Sequence, residues 1–153
     1  MPHAIRIHET GGPEVLKWEE VEVGEPGPGQ VKLRQEAAGL NFIDVYHRTG
    51  LYKQELPFIP GTEGAGVVES LGEGVTNLKA GDRVAYAGPI GGYAEKRLIP
   101  AERLVKLPGG VSTELAAAIM RCWWSAPRAG CWCSTTAPTG CSIARNCAIT
   151  VRS

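Results

Sequence analysis

Four side chains between positions 41 and 52 combine an amide (Asn41), a carboxylate (Asp44) and two phenols (Tyr46, Tyr52). Amides and phenols are neutral hydrogen-bond donors, suited to meet negative charge that develops on oxygen during a reaction. Each of these residues also has a structural reading. Asn41 is a favourable helix N-cap, Phe42 and Ile43 read as core, and Tyr46 as a helix residue packed against the rest of the fold. At Asn41 the two roles are compatible; at Asp44 and Tyr52 both readings stay open.

Other reactive side chains form no recognised constellation. His3, His8 and His47 share no ligand spacing and read as surface or strand residues, and Arg48 reads as a solvated charge. Glu63 is an isolated acid in a glycine-rich strand, the context of a structural carboxylate. Gly61, Gly64 and Gly66 lack the Gly-x-Gly-x-x-Gly spacing of a phosphate cradle and do not stand between a strand and a helix, so close backbone packing explains them better. Cys131, Cys133, Cys141 and Cys147 open on Cys-x-Cys with gaps of seven and five residues, which matches no common zinc or redox spacing.

The elements that must position these groups are mostly strands. β-Branched and aromatic residues between Gly/Pro turns predict strands at His3–His8, Leu16–Val23, Gln30–Ala38, Gly64–Leu71, Arg83–Tyr86, Tyr93–Ile99 and Leu104–Leu107. Gly11-Gly12-Pro13, Pro26-Gly27-Pro28-Gly29, Lys79-Ala80-Gly81-Asp82 and Pro108-Gly109-Gly110 supply turns. Many short strands at this spacing predict an antiparallel barrel or sandwich. Two helices interrupt them. The first is capped by Asn41, carries Asp44 in its first turn and closes at Gly50, with Phe42 and Tyr46 four apart on one stripe. The second begins at Ser112 and runs through Ala116-Ala117-Ala118 towards Pro127, which terminates it.

Composition changes sharply after Met120. Residues 1–120 hold 12 Lys and Arg, all 16 Asp and Glu and no Cys. Residues 121–153 hold four scattered Arg, no Lys, no carboxylate, all five Cys and three of the four Trp. At 153 residues there is room for one domain with a core. Neither part has the basic cluster of a nucleic-acid binder. No segment is long and apolar enough to span a membrane, and no signal peptide is legible. The expectation is a soluble cytoplasmic protein without nucleic-acid or membrane partners.

Six segments carry a resemblance: Gly11-Gly12-Pro13-Glu14-Val15-Leu16; Gly39-Leu40-Asn41-Phe42-Ile43-Asp44-Val45-Tyr46; Arg48-Thr49-Gly50-Leu51-Tyr52; Pro60-Gly61-Thr62-Glu63-Gly64-Ala65-Gly66-Val67-Val68; Lys79-Ala80-Gly81-Asp82-Arg83-Val84; and Ala116-Ala117-Ala118. In this order and spacing, residues 1–120 resemble the zinc-independent quinone oxidoreductase (zeta-crystallin-like) branch of the medium-chain dehydrogenase/reductase superfamily. The resemblance implies a mainly β, GroES-like, partly open antiparallel barrel with short helices, forming the N-terminal part of a catalytic domain. It implies NADPH-dependent reduction of a quinone or an α,β-unsaturated carbonyl (enone). Asn41, Tyr46 and Tyr52 are then the candidate catalytic residues, and Asn41, Phe42, Ile43, Asp44 and Tyr46 the candidate cofactor-binding ones. Asp44 would accept from the cofactor ribose or orient Tyr46. Zinc-dependent relatives place Cys at the position of Asn41 and His at that of Thr62; amide and hydroxyl are poor zinc ligands, so no metal is expected.

In relatives, Ala116-Ala117-Ala118 leads to a Rossmann domain whose glycine-rich turn meets the pyrophosphate; no such turn follows here. A frameshift, a Cys-based metal or redox site and a featureless flexible end compete to explain residues 121–153. Cys131-Trp132-Cys133 is encoded so that a neighbouring frame reads Leu-Val, the kind of pair that precedes the lost turn. The expected division is therefore a catalytic domain over 1–120 and a non-native or disordered tail over 121–153, produced by a frameshift. The chain is expected to be inactive alone. The rival expectations are a module that forms a homo-oligomer or pairs with a full-length homologue, and a non-functional truncated product.

Overall fold

Gln30–Gly39 alternates buried residues with half-buried ones and exposed Arg34 as far as Glu36, then is buried throughout, and it is the strand from which the rest of the sheet is built. The computed structural model describes residues 1–120 and 148–150. In chain order the strands are β1 (His3–Ile7), β2 (Leu16–Glu20), β3 (Gln30–Gly39), β4 (Glu63–Leu71), β5 (Arg83–Ala87), β6 (Lys96–Pro100), β7 (Val105–Lys106) and β8 (Ala148–Thr150). Helix α1 spans Phe42–Thr49, and α2 occupies 113–120.

β1 and β2 form an antiparallel ribbon, and the other strands form one antiparallel sheet in the order β6–β3–β4–β5–β7, with β8 also on β3. β3 pairs with β4 from Val31↔Leu71 to Ala38↔Gly64. Its other edge is shared: β6 covers Gln30 to Arg34, and β8 covers Ala37 to Gly39. The ribbon closes onto this sheet through the bridges Ala4↔Ala94 and Ile7↔Phe58. The mainly β, antiparallel, GroES-like architecture with two short helices is the one the sequence predicts.

Four strands are shorter than expected: β1 ends at Ile7 and β7 keeps only Val105–Lys106, and the larger changes are in β2 and β6. β2 stops at Glu20, and β6 starts at Lys96 rather than at Tyr93. This stretch pairs with β1 as well, with Ile5 N–H donating to the Tyr93 carbonyl at 2.8 Å and Glu95 N–H donating to the His3 carbonyl at 2.9 Å, while the Glu95 carbonyl accepts from Gln35 N–H of β3 at 2.8 Å. The expected continuation of α2 to Pro127 and the character of the tail lie outside the described residues, apart from the pairing of 148–150.

Among the described residues the two larger core clusters differ in grain. Val31, Leu33, Val68, Val84, Tyr86 and Ile99 fill the barrel with large side chains. Ala37, Ala65 and Ala85 of the sheet meet Ala116 and Ala117 of α2. Small residues on both sides let α2 lie close to the sheet, which explains the alanine run in packing terms. The Ser112 hydroxyl accepts from Leu115 N–H at 3.2 Å and caps this helix.

One buried polar group ties the barrel together. Gln35 Nε2 donates to the Gly92 and Ala94 carbonyls at 2.6 and 2.7 Å, and Gln35 Oε1 accepts from the fully buried Tyr86 hydroxyl. The Arg97 guanidinium lies 4.8 Å from the centre of the Tyr86 ring. A leucine at position 35 would leave two carbonyls and a phenol without partners in the interior. Gln35→Leu is expected to lower stability by about 2–5 kcal/mol and Tyr86→Phe by about 1–2 kcal/mol. Urea unfolding checks both; a loss at Gln35→Leu below about 0.5 kcal/mol contradicts the bonding described.

Candidate functional site

α1 begins where β3 ends. Asn41 is extended (φ −127°, ψ 148°) and stands at the N-cap, and Gly50 at φ +83° closes the helix in the left-handed region. Asn41 and Asp44 form a capping box, with Asn41 N–H donating to Asp44 Oδ2 at 3.0 Å. The cap, the acid in the first turn and the closing glycine are all as the sequence predicts.

The side chains of this first turn reach into the barrel. Asn41 Nδ2 donates to Glu63 Oε1 at 2.7 Å. Glu63 opens β4 and is only 3% exposed. The expectation of an isolated acid is therefore corrected: chain reversal between β3 and β4 brings Glu63 to the start of α1. The close approach depends on Gly39, where an added Cβ would fall 2.3 Å from Glu63 Cγ and Oε1. Asp44 is also buried, and its Oδ2 accepts a second bond from the Tyr93 hydroxyl at 2.7 Å. The hydroxyl that Asp44 orients is that of Tyr93, not Tyr46. Its other oxygen, Oδ1, has no hydrogen-bond partner among the described residues.

The outer side of α1 is aromatic. Phe42 and Tyr46 meet edge to face at 5.2 Å, and Tyr46 meets Tyr52 the same way at 5.4 Å. Tyr52 N–H donates to the Tyr46 carbonyl at 3.2 Å, which holds the segment after α1 against the helix. Phe42 is 72% exposed and Tyr52 50%, with Leu40 and Leu51 also open to solvent. The core reading of Phe42 is thereby overturned: its neighbour in the helical stripe is Tyr46, and neither faces the barrel interior as Asp44 does. Ile43 is half-buried.

The structure thus brings Phe42, Tyr46 and Tyr52 together, and joins Asn41 to Asp44 and Glu63. The hydrogen bonds of the Asn41 and Asp44 side chains go to Glu63 and Tyr93, not to the two tyrosines of the aromatic face. His47 differs from the expectation of a surface or strand residue: it is a buried helix residue with its ring 6.1 Å from that of Tyr52. Arg48 is not simply solvated, since it donates to the Gly11 carbonyl at 3.3 Å. His3 stacks on Trp18, and His8 pairs with Glu19 at 3.0 Å, both on the β1–β2 ribbon. Glu63 and Tyr93 are the members of this cluster that sequence reasoning missed. The glycines at 39 and 61, which leave room for them, were the available signal. Among the described residues no group of three or more His, Cys, Asp or Glu gathers as a metal site, and no helix is long and apolar enough to cross a membrane.

Comparison with known proteins places this arrangement. Residues 27–109 match the alcohol dehydrogenase GroES-like domain family. A quinone oxidoreductase of Pseudomonas aeruginosa is 51% identical over 122 residues, covering 78% of this chain and 38% of that protein. A 2-haloacrylate reductase of Burkholderia is 50% identical over 113 residues, covering 71% of this chain and 34% of that protein. The solved structure of the Escherichia coli quinone oxidoreductase complexed with NADPH superimposes with a TM-score of 0.74 at 43% identity, over 76% of this chain and 36% of that one. The chain spans little more than a third of the length of these relatives.

Two phenols are set apart by their surroundings. Burial, the hydrogen bond to Asp44 and the charges of Asp44 and Glu63 hold Tyr93 far above the usual tyrosine range. Burial pushes Tyr86 up, against the opposing charge of Arg97. Both keep their protons in the folded chain at a pH where the unfolded chain loses them, so folding holds more protons and stability falls as pH rises past about 10. Phenolate absorbance about one unit above that pH is expected to show close to two fewer ionised tyrosines in the folded chain than in the unfolded one. Tyr93→Phe should reduce the difference to one. Equal ionisation of the folded and unfolded chains contradicts the burial described.

Proposed function

The chain belongs to the alcohol dehydrogenase GroES-like domain family, in the quinone oxidoreductase branch of the medium-chain dehydrogenase/reductase superfamily, and from this we propose that the α1 face is one wall of an NADPH-dependent quinone reductase site. The observation that carries the proposal is the aromatic run Phe42–Tyr46–Tyr52, exposed at Phe42 and Tyr52 and half-buried at Tyr46, beside a first helical turn fixed to the barrel by Asn41–Glu63 and Asp44–Tyr93.

These residues fit the ring end of a nicotinamide dinucleotide. Edge-to-face aromatic side chains offer apolar surface to a flat ring, and the Asn41 carboxamide offers both a donor and an acceptor. NADPH supplies the hydride when bound. The chain supplies position. The phenol hydroxyls of Tyr46 and Tyr52 donate to a carbonyl oxygen of the acceptor, where negative charge develops. The aromatic face keeps water from the ring edges. Glu63 holds Asn41, and Tyr93 holds Asp44, so the helix bearing the two tyrosines keeps one pose and the reacting groups lose little freedom on binding. Asn41 and Thr62 stand where zinc-dependent relatives use Cys and His, and the chemistry of amide and hydroxyl favours reduction by positioning without zinc. The acceptor is a quinone or a related α,β-unsaturated carbonyl.

Most of the affinity for a dinucleotide comes from pyrophosphate, ribose and adenine contacts, which the family assigns to a Rossmann domain. The chain of 153 residues alone should lose on the order of a thousandfold in NADPH affinity and show no turnover above a no-protein control. Residues 1–120 substituted for the equivalent residues of the Pseudomonas aeruginosa relative should reduce a quinone with NADPH to within about tenfold of the parent, and Tyr52→Phe in that chimera should lower kcat/KM by about ten- to a hundredfold. A chimera that folds and binds NADPH but does not reduce the quinone contradicts the proposal.

A further inference from the structure

The geometry points to Glu63 and Tyr93 as positioning residues that clamp the first turn of α1 from two sides and hold the Asn41 carboxamide in one orientation. The inference rests on the reading of Asn41 as a site residue.

An asparagine side chain has a donor end and an acceptor end of nearly equal shape, and left free it presents either. A carboxylate oxygen only accepts. With Glu63 Oε1 at 2.7 Å, only the Nδ2 end can face the barrel. The bond is mostly shielded from water, since Glu63 is 3% exposed. The carboxamide plane is therefore set by Glu63 together with the helix cap, and not by whatever binds outside.

The second clamp acts on the backbone. Asp44 Oδ2 accepts from Asn41 N–H at 3.0 Å and from the Tyr93 hydroxyl at 2.7 Å. Tyr93 is itself anchored, with its N–H donating to the Pro60 carbonyl at 2.9 Å and its carbonyl accepting from Ile5 N–H at 2.8 Å. One short stretch of chain, 60–63, thus holds both clamps: Pro60 fixes Tyr93, and Glu63 fixes Asn41. Both clamps occupy space that a glycine leaves open. A Cβ on Gly39 would strike Glu63 at 2.3 Å, and one on Gly61, at φ +91°, would fall 2.7 Å from Tyr93 Cδ1.

The test uses the full 153-residue chain labelled with nitrogen-15, following the side-chain amide pair of Asn41 with and without duroquinone. In the parent chain the Asn41 proton facing Glu63 is expected downfield of its twin and slow to exchange. Glu63→Gln keeps the volume but lets either end of Asn41 find a partner. It should bring the two resonances together and speed their exchange by about tenfold or more, while the backbone shifts of α1 stay helical. Gly39→Ala, which crowds Glu63 without changing any hydrogen-bonding group, should do the same. Tyr93→Phe should speed exchange of the Asn41 backbone N–H by about tenfold. Duroquinone should bind each variant several-fold more weakly than the parent. An Asn41 amide pair that is unchanged in Glu63→Gln and Gly39→Ala overturns the inference, as does loss of the α1 helix in both, which would make the role one of stability alone. If the amide pair responds as expected but the chimera with the Pseudomonas aeruginosa relative binds NADPH without reducing duroquinone, the clamp stands and the proposed function fails.

Discussion

A carboxyl group taken out of water costs several kcal/mol unless the protein replaces its hydration with hydrogen bonds. Two such groups, Asp44 and Glu63, are buried where α1 meets the barrel. Much of the local structure follows from that constraint. Glu63 takes the Asn41 amide, and Asp44 takes the Asn41 backbone N–H and the Tyr93 hydroxyl. The donors come from Asn41 and Tyr93 and the acids stand at 44 and 63, so these bonds fix the end of β3, the start of β4 and the approach to β6 relative to one another. Gln35 does the same for the barrel interior, joining β3 to Tyr86 of β5 and to the backbone at Gly92 and Ala94.

The consequence for function is a division of labour across α1. Its inner side is polar, buried and pinned; its outer side is aromatic, with Phe42 and Tyr52 open to solvent and Tyr46 half-buried between them. Apolar rings left in water are unfavourable for a chain folding by itself and useful for one that receives a flat, apolar partner. The proposed nicotinamide and quinone are partners of that shape, and rigidity on the inner side is what lets the outer side keep its pose.

What was legible in the sequence was local. The strands followed from β-branched runs between Gly/Pro turns, and α1 from Asn41, Asp44 and Gly50, because capping chemistry acts over three or four residues. The Phe42–Tyr46 contact followed from helical spacing. The links that define the site are not local: Asn41 to Glu63 spans 22 positions, Asp44 to Tyr93 spans 49, and Gln35 to Tyr86 spans 51. They depend on strand register and on which acids are buried, and neither is written in any short window. For this reason no short window shows the partner of Glu63 or directs Asp44 to Tyr93 rather than Tyr46. His47 was misjudged on the same ground, since one face of a helix eight residues long is enough to bury it.

The account stands on the first turn of α1 being as firmly held as the sheet beneath it. Native-state hydrogen exchange reads this directly at the Asn41 N–H, whose acceptor is the buried Asp44 carboxyl. The account predicts protection of the same order as that of the β3–β4 ladder, with Asn41 opening only when the barrel opens. Exchange of Asn41 at the rate of an exposed loop amide, while β3 and β4 remain protected, would contradict it.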